Sequence, residues 1–133
     1  MTSNPASIVR RLALISAIGL AALSPAHAGE LDGKSFEGVF LAKGKTSGDA
    51  DRISFANGRF RSSACDKYGY SDAVYKTVAE GGAIRFEAET ESAKYGKLRW
   101  TGWVRGDKLD ATAMMIRDGK APVENWVAAS LKR

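Results

Sequence analysis

From Ser35 onward the chain is punctuated by glycine-centred breaks every ten to fifteen residues, with short runs of aromatic and β-branched residues between them. Such spacing accommodates strands of ordinary length and leaves no room for a helical domain. The breaks are specific. Asn57-Gly58 lies between Ile53-Ser54-Phe55 and Phe60, and a two-residue hairpin needs residues that accept positive φ at both turn positions. Gly81-Gly82, Gly106-Asp107 and Asp118-Gly119 punctuate the later segments. Strands are predicted near 35–42, 51–56, 59–64, 70–79, 83–90, 97–105, 108–116 and 123–131. Residues 108–116 are rich in Ala, Met and Leu, but they follow a turn and sit between two Trp-bearing segments, so they read as strand.

Alternation assigns the faces. Leu98, Trp100, Gly102 and Val104 share one side of their strand, and Leu109, Ala111, Ala113 and Met115 share one side of the next. A turn at Gly106-Asp107 pairs Val104 with Leu109, Gly102 with Ala111 and Trp100 with Ala113. Two independent periodicities thus agree on one register, with large residues opposite small ones. Phe36, Gly38 and Phe40 form a further inner set, as do Ile84, Phe86 and Ala88. The expected fold is all-β: an antiparallel up-and-down meander of about eight strands, closed into a small barrel because closure removes the exposed edges.

A different segment precedes it. Arg10-Arg11, the apolar run Leu12–Leu23, and Ala26-His27-Ala28 follow the order of a secretory signal peptide. The expected organisation is a signal at 1–28 and one β-barrel domain at 29–133, exported to the periplasm or beyond. The apolar run is shorter than the roughly 20 residues a membrane span needs, so no stable membrane insertion is expected after cleavage. Two of the 20 basic residues and none of the 15 acidic ones lie in the signal, so the domain carries +3. Its charges alternate in sign, without the one-faced basic cluster of a nucleic-acid binder.

The domain lacks histidine, since His27 falls in the signal. That removes Ser-His-Asp and Cys-His catalysis as usually built and the usual zinc sets. No cofactor is expected. Glu87, Glu89 and Glu91 alternate with apolar residues and read as a solvated strand face. Gly48-Asp49-Ala50-Asp51 reads as a turn rather than a cation loop. Cys65 is the only cysteine. It is read first as a small buried hydrophobe, with a disulfide-linked dimer or a ligand-facing thiol as alternatives.

Two residue groups remain as binding candidates. Cys65, Tyr68, Tyr70 and Tyr75, with inward-facing Trp100, form a candidate ligand site in which tyrosine hydroxyls orient a guest. Packing against the core is the plainer reading of those rings. On the other side of the wall, Arg99, Trp103, Met114 and Trp126 form a candidate partner face of interface-rich residue types. A five-residue loop after Arg117 is expected to place Trp126 beside Met114.

The whole pattern of 29–133 resembles the lipocalin-like small barrels, with Phe36-Glu37-Gly38-Val39-Phe40 where those families carry a Gly-x-Trp. Ser63–Tyr70 followed by Trp100-Thr101-Gly102 also resembles small secreted bacterial proteins with no assigned activity. The resemblance implies a barrel that holds one small ligand. The functional expectation is therefore non-catalytic binding of a small apolar or amphipathic molecule. A protein partner, as for an envelope interaction protein or an inhibitor, is the alternative.

Overall fold

The computed structural model describes residues 29–133; the predicted signal lies outside the described residues. Eight antiparallel strands form a closed barrel in chain order: β1 (Ser35–Ala42), β2 (Asp49–Ala56), β3 (Arg59–Ser62), β4 (Ala73–Glu80), β5 (Ala83–Ser92), β6 (Gly96–Arg105), β7 (Lys108–Ile116) and β8 (Val123–Leu131). The first and last strands close it through a ladder from Phe36↔Leu131 to Ala42↔Asn125. The expected β6–β7 register holds pair by pair: Val104↔Leu109, Gly102↔Ala111 and Trp100↔Ala113. The Asn57-Gly58 hairpin forms with Asn57 at φ 54.

Two stretches depart from the strand prediction. β3 stops at Ser62, and Ser63–Tyr68 form a 3-10 helix closed by Gly69 in the left-handed region at φ 84. β4 then begins at Ala73, not at 70. The second departure is a correction. Asp49 and Asp51 belong to β2, with Gly38↔Asp51 and Phe40↔Asp49 in register, so they are not a turn. Their composition mimics a loop, but the side chain of Asp51 is buried among donors from the distant 62–64 segment.

The meander gives the barrel two different ends. One end carries the short turns at 57–58, 81–82 and 106–107 together with residues 29–34. There Leu31 is fully buried, Gly33 donates to the Phe55 carbonyl and Phe55 donates to that of Lys34. The opposite end carries the longer connections at 43–48, 63–72, 93–95 and 117–122. Between them runs an aromatic core. Phe55 lies edge-on to Phe36, Tyr75 and Phe86 with centroids 4.9–6.3 Å apart, and Phe60 packs on Trp100 at 4.8 Å. Such pairs add about 0.5–1.5 kcal/mol each beyond the area they bury.

Gly102 makes this core fit. It pairs with Phe86 on one side and Ala111 on the other. A Cβ there would lie 2.5 Å from the Phe86 ring and 2.8 Å from the Ala111 methyl. The substitution Gly102→Ala should therefore destabilise the domain by about 1–3 kcal/mol, the usual cost of overpacking. Urea unfolding of the two proteins measures the difference, and equal midpoints would contradict this view of the core.

Candidate functional site

The aromatic core fills the barrel from the Leu31 end up to Trp100 and stops there. Beyond it, at the long-loop end, a pocket of about 250 Å³ opens. The strands supply Phe40, Asp49, Leu98, Met115 and Asn125, and the connections supply Cys65, Tyr68, Tyr70 and Tyr95. It is more enclosed than any other concavity described here.

Three of the five predicted ligand-site residues meet in this pocket: Cys65, Tyr68 and Tyr70. The other two do not. Tyr75 is fully buried at the opposite end, where its hydroxyl donates to Asp32 Oδ1 at 2.7 Å and accepts from the Leu31 N–H at 3.0 Å. It anchors the segment that seals that end. Trp100 is fully buried beneath the pocket and donates its Nε1–H to Thr90 Oγ1 at 3.2 Å.

The pocket wall is mostly apolar, and its polar groups are few. Tyr70 Oη donates to the Tyr95 carbonyl at 3.4 Å. Ser92 Oγ donates to the Tyr68 carbonyl and accepts from the N–H groups of Lys94 and Tyr95, which ties the two connections together. Tyr68 and Tyr95 meet edge-to-face at 5.6 Å. Asn125 is 6% exposed, and its Nδ2 donates to the carbonyls of Ala113 and Val123 at 3.2 and 3.5 Å. Both its donors are used within the wall, leaving Oδ1 as an acceptor for a guest. Nothing in local composition singles out Tyr95, and Asp49 reads from composition as a turn residue. Asn125 did carry a signal, as the one amide in the alternating set Val123, Asn125, Val127 and Ala129 expected to point inward; Val123 itself is exposed.

Beside the pocket, the 3-10 helix is held by a buried carboxylate. Asp51 accepts from Ser62 Oγ at 2.8 and 2.9 Å and from the Ala64 N–H at 3.0 Å. Burial nevertheless pushes its carboxyl above the ordinary aspartate value, outweighing these bonds. Burial likewise pushes the Cys65 thiol up to about 11. A thiol so placed holds little thiolate at neutral pH, and it is 4% exposed. An intermolecular disulfide at Cys65 would require this wall to open.

The predicted partner residues lie on the outer surface, as their alternation implies. Trp103 and Trp126 are 37% and 38% exposed and share an open groove with Leu41, Thr112 and Ala128. Its volume, about 450 Å³, exceeds the mouth pocket's, but it is a shallow depression on the sheet. Arg99 pairs with Met114 as expected. Trp126 does not lie beside Met114: it pairs with Thr112, and Met114 pairs with Glu124. The ladder closes at Met115↔Val123 rather than after Arg117, so the loop between paired residues is two residues longer than expected and the pairing slides by two. Trp126 stays outside, with Nε1–H donating to Glu124 Oε2 at 2.6 Å. Glu87 and Glu89 are on the solvated face, paired with Arg85 and with Lys97 and Arg99. Among the described residues no three His, Cys, Asp or Glu side chains gather in a way that could hold a metal ion.

The raised value at Asp51 fixes a sign. Native Asp51 holds its proton to higher pH than unfolded Asp51, so the stability this proton confers is complete below the unfolded value and is lost as pH rises through the native one. Over that window wild type should lose melting temperature relative to Asp51→Asn; parallel curves from pH 3 to 7 would contradict it. No protein-family model, curated protein or solved structure matches the chain, so the pocket's own chemistry carries the functional reading.

Proposed function

We propose that this domain is a binding module that holds one small amphipathic molecule, without transforming it, in the pocket at the long-loop end of the barrel. The observation that carries the reading is the pocket itself: a partly enclosed space of about 250 Å³ with mostly apolar walls, in which the Asn125 amide spends its donors on the wall and the Asp49 carboxylate adds a second polar group. Small-ligand sites combine apolar lining with a few convergent polar groups in this way. A dry cavity of about 150 Å³ already takes a benzene ring, so this one suits a single ring with a short substituent. Binding without chemistry is favoured by the groups present. The thiol is held protonated, Asp51 is committed to the 3-10 helix, and the strand glutamates face solvent in ion pairs.

Export belongs to the same proposal and rests on the sequence of residues 1–28. A binding protein in the periplasm or outside the cell fits a closed barrel. The second reading is a protein partner on the outer groove, favoured by the exposure of Trp103, Trp126 and Val39 in one region of the surface.

Native mass spectrometry of the protein isolated from its own compartment without reductant separates these readings. A bound mass of about one to two hundred daltons, lost on mild activation, is the expected result for a pocket of this size. A bare chain, or one that carries only another polypeptide, would overturn the ligand-binding reading and favour the outer face.

A further inference from the structure

On the premise that the mouth pocket is a small-ligand site, its lining also says which charge it accepts. Among the described residues, those that line it include one carboxylate, Asp49, and no basic group. Four of the others are aromatic: Phe40, Tyr68, Tyr70 and Tyr95. Asn125 Nδ2 and the Tyr70 hydroxyl already donate to backbone carbonyls, and a carboxylate only accepts. A guest that suits this lining brings the donors itself.

The chain already places an ammonium at the lining. Lys67 Nζ stands 3.4 Å from Asp49 Oδ2 and 5.3 Å from the centroid of the Tyr68 ring, so one cation meets two pocket-lining groups at once. Tyr68 and Tyr95 stand at 89° to one another, as two walls of a corner, and Lys94 Nζ lies 5.3 Å from the Tyr95 centroid. Aromatic faces grouped in this way are how proteins recognise alkylammonium groups. The Cys65 thiol, also in the lining, owes its raised value first to burial, and the charges that add to it are the carboxylates of Asp51, Asp66 and Asp49. Lys94, and Arg117 whose charge acts on Tyr70, do not line the pocket. Lys67 is a weak occupant. Its side chain is 60% exposed and that of Asp49 50%, and an exposed pair of this kind contributes little. Nor is Lys67 among the residues that border the apolar space.

We infer that the pocket takes an alkylammonium on a small apolar body, such as a single ring with a short amine-bearing chain, and that the guest ammonium replaces Lys67 at Asp49 and Tyr68. The ring then lies against Phe40, Leu98 and Met115, and Lys67 turns to solvent. An anionic guest would face Asp49, and a neutral one would leave the Lys67–Asp49 pair in place.

Calorimetric titration at neutral pH with three probes of one size tests this: phenethylamine, phenethyl alcohol and phenylacetate. The amine should bind tightest, about three- to tenfold better than the alcohol, with a margin that shrinks in high salt. Asp49→Asn changes a half-exposed side chain and should bring amine and alcohol level. Lys67→Met removes the resident competitor and should tighten the amine about two- to fivefold. Alcohol binding as tightly as the amine would overturn the charge assignment while leaving a small-ligand pocket in place. A preference for the amine that survives Asp49→Asn would overturn the role of that carboxylate, and an amine weakened by Lys67→Met would overturn the replacement. Failure of all three probes would overturn the inference; a small bound mass on the native protein would then keep the pocket as a ligand site, and a bare chain would sink both.

Discussion

The contact between Phe60 and Trp100, two ring centroids 4.8 Å apart, carries the aromatic packing of the barrel interior from Phe55 and Phe86 through to Phe40. An eight-stranded barrel has an interior only wide enough to be filled by side chains or to hold one small guest. Here rings occupy it continuously from Phe36 and Phe55 through Phe60 and Phe86 to Trp100. Among the described residues, the rings beneath Trp100 are fully or almost fully buried against one another. The remaining space lies between Trp100 and the long connections. The sealed end follows the same logic in reverse. Leu31 closes it, and the Tyr75 hydroxyl satisfies the backbone that would otherwise be orphaned there.

The long-loop end is built differently because β3 is short. The β3–β4 ladder has two residue pairs, Arg59↔Val74 and Phe60↔Ala73. Past them the wall is completed by the 3-10 helix and by Tyr70. That segment needs its own anchor, and Asp51 supplies it. A buried carboxylate is costly, and this one is offset by donors from Ser62, Ser63 and Ala64. The arrangement sets Cys65 and Tyr70 against the barrel mouth and leaves Tyr68 half-open above them. Wall, anchor and pocket are therefore one local structure.

Much of the fold could be read from the chain. Asn57-Gly58 and Gly106-Asp107 fix hairpins through turn chemistry that depends on neighbours alone, and alternation around Trp100 and Gly102 then fixes the inner face. What escaped was long-range. Asp49 and Asp51 look like turn residues until the donors from 62–64 are in place. Trp126 was assigned to the correct side of the sheet but to the wrong neighbour, because its pairing depends on the length of a loop whose ends composition does not mark. Of the candidate site, Cys65, Tyr68 and Tyr70 were found because they cluster in sequence. Tyr75 and Trp100 face inward, yet one seals the far end and the other is packed within the core against Phe60 and Phe40. Phe40, Tyr95 and Asn125 come to the pocket from three separate parts of the chain, and only the closed barrel brings them together.

Met114 and Met115 offer the most direct test of this account, because adjacent residues on one strand face opposite sides of the wall. Met115 lines the pocket, and Met114 is on the outer face opposite Arg99 and Glu124. With ¹³C-methyl-labelled methionine, the two methyl resonances can be followed while a single-ring probe such as para-ethylphenol is added. A saturable shift at Met115 with Met114 unmoved is the predicted result. A shift confined to Met114, or none at Met115 at saturating probe, would contradict an interior site.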